Sequence, residues 1–559
     1  MAKLIEKYCY PKEHWPHLIN VPDVPHQLNL SEIYLDEKIK KGKGNKIACL
    51  FEDKKLTYGD LYLKTCVLGN ALKAIGVKPG DRIAIRLNNI PEYLITMLAA
   101  LRIGSIYVSV FPLFKAREIA QVVNSSEAKY IVTSVDLIDE IEKALPNMPT
   151  VEKVIVVGGT EKEESKGFLS LEKLIDNHKH ERELKPTLVD RDEVVFINYT
   201  SGTTGLPKGC ARTPTDYIGY GEYHAKQHYK INEDDVVGGT ATLAFAFGHG
   251  LYFAMSFYVG AATSLMVPPF TPERIFRTIQ EHGITILGTV PSAYRRLVAA
   301  RDMAKQFDLS SVRMCISAGE LLTANLYEAV KEIFPNAIIC QEIGMTEVGA
   351  GFIANSPEKN RPGSLGIPVP GFEVKVVDDK GRELPQGKTG NIIFRGFTGP
   401  RYWKMPEKQK EVVREGWVWT GDLGYQDTDG FFWYMGRADE MIKVSGYLVS
   451  PFEIEDTLRE HPAVADVAVA PAPDVMRGWM PKAFVVLKEG HEPTDKLKEE
   501  LISFVEARIS PYKKPREIVF VADLPKTQTG KINRVALRQA EIEKFIKEHP
   551  NEAKMLGLV

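Results

Sequence analysis

Tyr199-Thr-Ser-Gly-Thr-Thr-Gly-Leu-Pro-Lys-Gly209 gathers hydroxyls, glycines and one lysine into a single short stretch. Gly202 and Gly205 let backbone N–H groups approach anionic oxygens and form a concave donor array. Thr200, Ser201, Thr203 and Thr204 add side-chain hydrogen bonds, and Lys208 adds charge. This is chemistry for phosphate. It is not a Walker A loop, because the four-residue gap followed by Gly-Lys-Ser/Thr is absent. Upstream, Glu193 to Asn198 carries Val194, Val195, Phe196 and Ile197 and reads as a short buried strand that feeds the loop.

Outward from this strand the chain alternates β and α. Thr57-Tyr-Gly-Asp60 caps a helix that runs to Ile75, Gly76 stops it, and Pro79-Gly80 turns the chain into a strand over Arg82 to Arg86. A helix after Pro91, a strand near Ser105 to Val110, a helix near Ala116 to Asn124 and a strand over Tyr130 to Thr133 continue the rhythm, which returns from Gly260 to Cys340. Such alternation predicts a mostly parallel sheet with helices on both faces. Before it, Pro11, Pro16, Pro22 and Pro25 mark an extended arm, followed by a helix from Leu30 to Lys41. From Gly371 to Tyr434 short strands and glycine turns predict a small β-rich subdomain, and a compact α+β unit follows Asp439.

A chain of 559 residues exceeds one core and predicts several structural units. Its 44% hydrophobic and 26% charged content, with a formal net charge of −2 and dispersed basic residues, is that of an ordinary soluble protein and asks for neither nucleic acid nor a membrane. The six cysteines, Cys9, Cys49, Cys66, Cys210, Cys315 and Cys340, show no metal-ligand spacing and point to reduced thiols and the cytoplasm. From Val236 to Pro272 no charged residue occurs, a run longer than the roughly 20 residues of a spanning helix. Glycines, His249 and the prolines Pro268, Pro269 and Pro272 break it into pieces suited to a buried core. Homo-oligomerisation is left open.

Further motifs follow in order. Ser317-Ala-Gly-Glu320 precedes Leu321; Gln341-Glu-Ile-Gly-Met-Thr-Glu347 follows an apolar strand end; Trp419-Thr-Gly-Asp-Leu-Gly424 sets Asp422 in a Thr-Gly-Asp turn; Gly436-Arg-Ala-Asp439 continues through Gly446 to Ser450-Pro-Phe-Glu-Ile-Glu455; and Leu524-Pro-Lys-Thr-Gln-Thr-Gly-Lys-Ile-Asn533 carries Lys531. Read alone, Asp422 has a second reading, an Asx-type turn that bonds its own backbone. Ser450-Pro451 reads as a helix start with carboxylates near its positive end.

Taken together, and over essentially the whole chain, these motifs resemble the adenylate-forming superfamily of acyl- and aryl-CoA ligases, luciferases and peptide-synthetase adenylation domains. The resemblance implies a large α/β N-terminal domain, residues 1–438, made of two α/β subdomains and a β-rich one, with a small mobile α+β C-terminal domain, residues 439–559, hinged at Asp439. It implies ATP, Mg²⁺ and coenzyme A as co-substrates and cofactor. Nucleotide contacts fall on Thr200 to Gly205, Lys208, Gly319, Glu320, Leu321, Gln341, Glu342, Ile343, Gly344, Met345, Asp422 and Arg437, with Gly446 toward coenzyme A. Thr346 would touch the α-phosphate, Thr200 and Glu347 would hold Mg²⁺, and Lys531 would bridge the carboxylate and the α-phosphate.

The implied reaction adenylates a small-molecule carboxylic acid and then transfers the acyl group to coenzyme A. Phe245-Ala-Phe-Gly-His-Gly250 aligns with the acyl-pocket segment and looks most like benzoate, aminobenzoate and medium-chain ligases. Phe247, His249, Ala318, Gly344 and Ala350 are the candidate pocket residues. Acetate-specific relatives carry a tryptophan at the place of Gly344, so a glycine implies room for a ring or a longer chain. Core packing remains the other reading of Phe245 and Phe247, and His249 reads equally as a satisfied buried histidine. The alternatives to an aryl or medium-chain ligase are a ligase for a short hydroxy acid such as hydroxybutyrate, an adenylation enzyme loading a separate carrier protein, and a nucleotide-binding regulatory module without turnover.

Overall fold

The computed structural model describes residues 3–9, 12–200, 207–438, 440–444, 447–475, 478–510, 513–527, 532–555 and 558. These form two compact units. One holds the residues up to 200, 207–374 and 393–419; the other holds 375–392 and those from 420 onward.

In the first unit the helix Tyr58–Ala74 starts as expected, with a reciprocal capping box between Thr57 and Asp60. Asp60 N–H donates to Thr57 Oγ1 at 3.0 Å and Thr57 N–H to Asp60 Oδ2 at 2.9 Å, which satisfies two otherwise orphaned donors. Pro91 opens the helix Pro91–Arg102, where its missing N–H costs nothing. Strands fall at Arg82–Arg86, Ile106–Ser109 and Tyr130–Ser134, and a helix at Ala116–Ser126. The proline-rich arm leads into an unbroken helical run over residues 30–40, as expected, which passes through a π-helical turn at Glu32–Asp36 before Glu37–Lys40.

Seven strands make the first sheet, in the order Gly209–Arg212, Phe196–Tyr199, Ile106–Ser109, Arg82–Arg86, Tyr130–Ser134, Lys153–Val157 and Leu169–Ser170. All pair in parallel except the first two, which form an antiparallel hairpin with Tyr199 opposite Gly209. A nine-stranded sheet is built around the parallel run Ile47–Phe51, Ala262–Leu265, Val236–Gly239, Ile286–Thr289, Met314–Ser317 and Ile338–Met345. The β-branched and aliphatic strand residues are buried, as expected when helices cover both faces. The uncharged stretch after Val236 resolves into the strand Val236–Gly239, helical turns from Ala246 to Val259 and the strand Ala262–Leu265. Among the described residues no helix is long and apolar enough to cross a membrane.

The β-rich region also appears, with strands Phe372–Val377, Gly390–Gly396, Val413–Arg414, Trp417–Gln426 and Phe432–Arg437. In the second unit the long hairpin Val464–Asp474 and Gly478–Leu487 pairs with Ile442–Val444 and Glu517–Phe520. Helices Pro451–Arg459 and Asp495–Glu506 cover it and bury Ile454, Leu458, Leu501 and Val505 with Val467, Val469 and Val485.

Candidate active site

Parallel strands of the first unit deliver the candidate residues at their carboxyl ends, the edge where open α/β sheets bind ligands. The strand Phe196–Tyr199 ends at the Thr200 to Lys208 segment, whose ends are tied together. Thr200 N–H donates to the Lys208 carbonyl at 3.0 Å and Lys208 N–H to Thr200 Oγ1 at 3.2 Å. Ser201, Gly202, Thr203, Thr204 and Gly205, between them, lie outside the described residues, as do Asp439, Gly446 and Lys531.

The structure joins two motifs far apart in the sequence. Gln341, at the end of the parallel part of Ile338–Met345, accepts from Leu322 N–H at 2.8 Å. It donates to the carbonyls of Glu320, at 3.2 Å, and Glu342, at 2.9 Å. Its amide therefore fixes the Ala318 to Leu322 turn against the strand. The Glu320 carboxylate is itself held by Arg295 at 2.8 Å. Beyond Gln341 the strand turns antiparallel to Ala350–Ala354, with a register shift between Ile343 and Gly344.

The two residues expected nearest the phosphates are oriented from behind. Tyr402 donates to Glu347 Oε1 at 2.8 Å, and the buried Arg212 donates to the Thr346 carbonyl at 2.6 Å. Sequence reading missed both supports. Arg212 is 134 residues from Thr346 and Tyr402 is 55 from Glu347, so no local spacing marks them. Thr200 and Glu347 offer the hydroxyl and carboxylate oxygens a hard cation takes. Among the described residues no group of three or more His, Cys, Asp or Glu side chains is placed to hold a metal ion.

A narrow cavity in this unit is lined by Phe247 and Ala350, both expected in the acyl pocket, together with Ala246, Leu251, Met255, Ile316, Tyr229 and Glu342. Glu342, expected beside the nucleotide, is instead 6% exposed and accepts from Tyr229 OH at 2.5 Å through Oε2. Burial pushes its carboxyl up to about 7, partly offset by the tyrosine hydrogen bond. Ala318 is buried and, with His249 and Gly344, does not line this cavity among the described residues.

His249 turns out to be a core histidine. It stacks on Phe196 at 4.4 Å, and its Nε2 bonds Tyr217 OH at 2.7 Å and Tyr107 OH at 3.0 Å. Burial holds it neutral, with its pKa lowered to about 3. The open-wall reading of Gly344 also needs correction. A Cβ there would lie 2.6 Å from the Ala350 carbonyl oxygen, so a side chain at this position would require the backbone beside the Ile343/Gly344 register shift to move.

In the second unit Asp422 and Arg437 are cross-strand partners on Trp417–Gln426 and Phe432–Arg437. Arg437 Nη1 lies 3.5 Å from Asp422 Oδ1 and donates to the Thr420 carbonyl at 3.1 Å. Burial pushes the Asp422 carboxyl up to about 6, with Arg437 offsetting only part of that. Asp422 sits in a strand, and the hydroxyl of Thr420, not the Asp422 side chain, accepts from the local backbone. The Asx-turn reading thereby falls away. A separate depression on this unit, near Lys482, Glu517 and Glu541, contains none of the residues singled out by the sequence.

Comparison with known proteins agrees with this layout. The model of the AMP-binding enzyme family matches residues 35–403, and that of the AMP-binding enzyme C-terminal domain matches 453–531. The chain is 34% identical to an acetyl-coenzyme A synthetase of Bacillus subtilis, over 92% of this chain and 91% of that one. It is 33% identical to a benzoate–CoA ligase of Thauera aromatica, over 92% and 97%. A crystal structure of an anthranilate CoA ligase in complex with anthranoyl-AMP superposes with a TM-score of 0.87 at 34% identity, covering 94% of this chain and 99% of that one.

Proposed function

As the chain belongs to the AMP-binding enzyme family, we propose that it activates an aryl or medium-chain carboxylic acid in two half-reactions. It is an AMP-forming acid–CoA ligase, with ATP and coenzyme A as co-substrates. In the first half-reaction a carboxylate oxygen attacks the α-phosphorus of ATP and pyrophosphate leaves, giving an acyl-adenylate. In the second the sulfur of coenzyme A bonds to the acyl carbon, its proton is lost and AMP leaves. The reading of the site is carried by one observation. Gln341 ties the Ala318 to Leu322 turn to the strand that ends in Thr346 and Glu347, and those two are braced by Arg212 and Tyr402.

Both half-reactions gather negative charge, so preoriented donors and cations must lower the repulsion. Thr346, Lys208 and the Ser201 to Gly205 amides would take the phosphates, Asp422 and Arg437 the ribose, and Lys531 the carboxylate and α-phosphate. Mg²⁺, when bound, would be held by Thr200 and Glu347 and supply charge neutralisation. A half-buried Asp422, only partly neutralised by Arg437, suits an acceptor of two ribose hydroxyls, which would satisfy it. We place the domain boundary at residue 439, with a swing about Asp439 that exchanges the Lys531 loop for the Gly446 segment. Six free, buried cysteines support a cytoplasmic setting.

For the acid, the benzoate and anthranilate relatives support a ring-bearing or medium-chain substrate. The buried carboxyl of Glu342 in the cavity beside Phe247 favours a second reading, an acid with a hydroxyl group. Pyrophosphate release is to be measured with aryl, medium-chain and short hydroxy acids, with and without coenzyme A. Thioester formation supports the ligase; adenylation without thioester formation indicates a carrier-loading enzyme, and no release overturns both. Lys531→Ala should depress adenylation by about 10²- to 10³-fold and spare thioester formation from supplied acyl-adenylate.

A further inference from the structure

The cavity beside Phe247, about 10 Å³ and so room for one hydroxyl- or amino-sized group, is lined mainly by carbon. Phe247, Leu251, Met255, Ile316 and Ala350 contribute carbon, while the hydroxyl of Tyr229 is already donated to Glu342 Oε2. The other carboxyl oxygen, Oε1, meets no hydrogen-bond donor among the described residues. Space for this side chain is made by Gly351, where a Cβ would stand 2.8 Å from Oε2. An apolar acid would gain nothing from such a group and would leave it desolvated, at a cost comparable to a lost hydrogen bond to a buried acceptor.

We propose that Glu342 is a specificity residue that selects carboxylic acids bearing a hydroxyl or amino hydrogen-bond donor distant from the reacting carboxylate over the matched acids that lack it. The substituent donates to Oε1 while Tyr229 holds Oε2, so the carboxyl is oriented before the acid arrives. Burial raises the carboxyl to about 7, so its ionised form, in which both oxygens accept, is the form a substituent donor at Oε1 stabilises. A site built to hydrogen-bond a substrate rejects analogues that lack the donor far more strongly than an apolar pocket separates acids by one methylene, about 10⁴- to 10⁵-fold against roughly 10- to 200-fold. This inference rests on the ligase reading above.

The test is kcat/KM for adenylation of 4-hydroxybutyrate beside butyrate, 3-hydroxypropionate beside propionate, and 2-aminobenzoate beside benzoate. In wild type the donor-bearing acid of the best pair should be favoured at least tenfold. Glu342→Met, near in volume and without an acceptor oxygen, should bring that ratio toward one, with the unsubstituted acid gaining. Glu342→Gln keeps a carbonyl acceptor and should hold the preference within a few fold. A ratio near or below one in every wild-type pair overturns the proposal, as does an unchanged ratio in a folded Glu342→Met. If that variant does not fold, the wild-type and Glu342→Gln ratios decide. Activation of acids without donor preference sinks this inference alone, whereas activation of no acid sinks the ligase reading.

Discussion

Two glutamates buried in different units, Glu342 and Glu455, show how neighbours separate a structural carboxylate from one kept for a ligand. Glu455 is fully buried on the helix Pro451–Arg459 and saturated. Arg534 reaches both its oxygens, at 2.8 and 2.6 Å from Nη2, Val469 N–H donates at 2.8 Å, and Arg459 adds a contact at 3.3 Å. Glu342 is 6% exposed and has one neutral tyrosine. Burial alone therefore says little about function; the count and charge of partners decide. Glu455 locks a helix to a strand, and Glu342 lines a cavity with Tyr229 as its hydrogen-bond donor.

The comparison breaks first at Glu455. Removing one member of a buried ion network leaves its partners uncompensated and typically costs about 3–5 kcal/mol. Glu455→Ala should lower the denaturant midpoint of the second unit accordingly, because Arg534 and Arg459 lose a common counter-charge. A loss below about 1 kcal/mol, as for a surface pair, would erase the contrast.

Glu342 has the opposite sign. Its folded carboxyl is raised from 4.5 to about 7, so folding favours the protonated form. Its stabilising contribution is complete below about pH 4.5 and declines as pH rises to about 7, with an upper bound of roughly 3 kcal/mol. Glu342→Gln imitates the protonated form and should melt above wild type at pH 8, the gap closing toward pH 5. A gap independent of pH would mean that the carboxyl titrates normally.

A smaller effect sharpens the geometry around Glu342. Gly344→Ala drives a methyl group against the Ala350 carbonyl, 2.6 Å away, and overpacking of this kind costs about 1–3 kcal/mol. The variant should lose stability by that amount and disturb every acid alike. If it is as stable as wild type and excludes only large acids, Gly344 is a pocket wall after all.

Most of the fold was legible because its signals are local. The Thr57 and Asp60 capping box, Pro91 at a helix start, and the aliphatic runs of Arg82–Arg86 and Tyr130–Ser134 each fall within one element. The site was legible as motifs but not as directions. Gln341 and Glu342 are adjacent, yet successive side chains of a strand point to opposite faces. One therefore braces a turn, and the other enters the interior. Gly344 was misjudged for a related reason, since its Cβ direction depends on a register irregularity with Ala350–Ala354. Arg212, Tyr402 and Tyr229 escaped notice because their partners come from other elements, brought near only by the sheet.

The most direct measurement offers wild-type enzyme 4-hydroxybutyrate and butyrate, or 2-aminobenzoate and benzoate, at equal concentration with ATP, Mg²⁺ and coenzyme A, and quantifies both acyl-CoA products and the adenine nucleotide by mass spectrometry. The account predicts AMP, and in at least one pair a donor-bearing acyl-CoA in at least tenfold excess. Formation of ADP in place of AMP, or an excess of the unsubstituted acyl-CoA in both pairs, would contradict it.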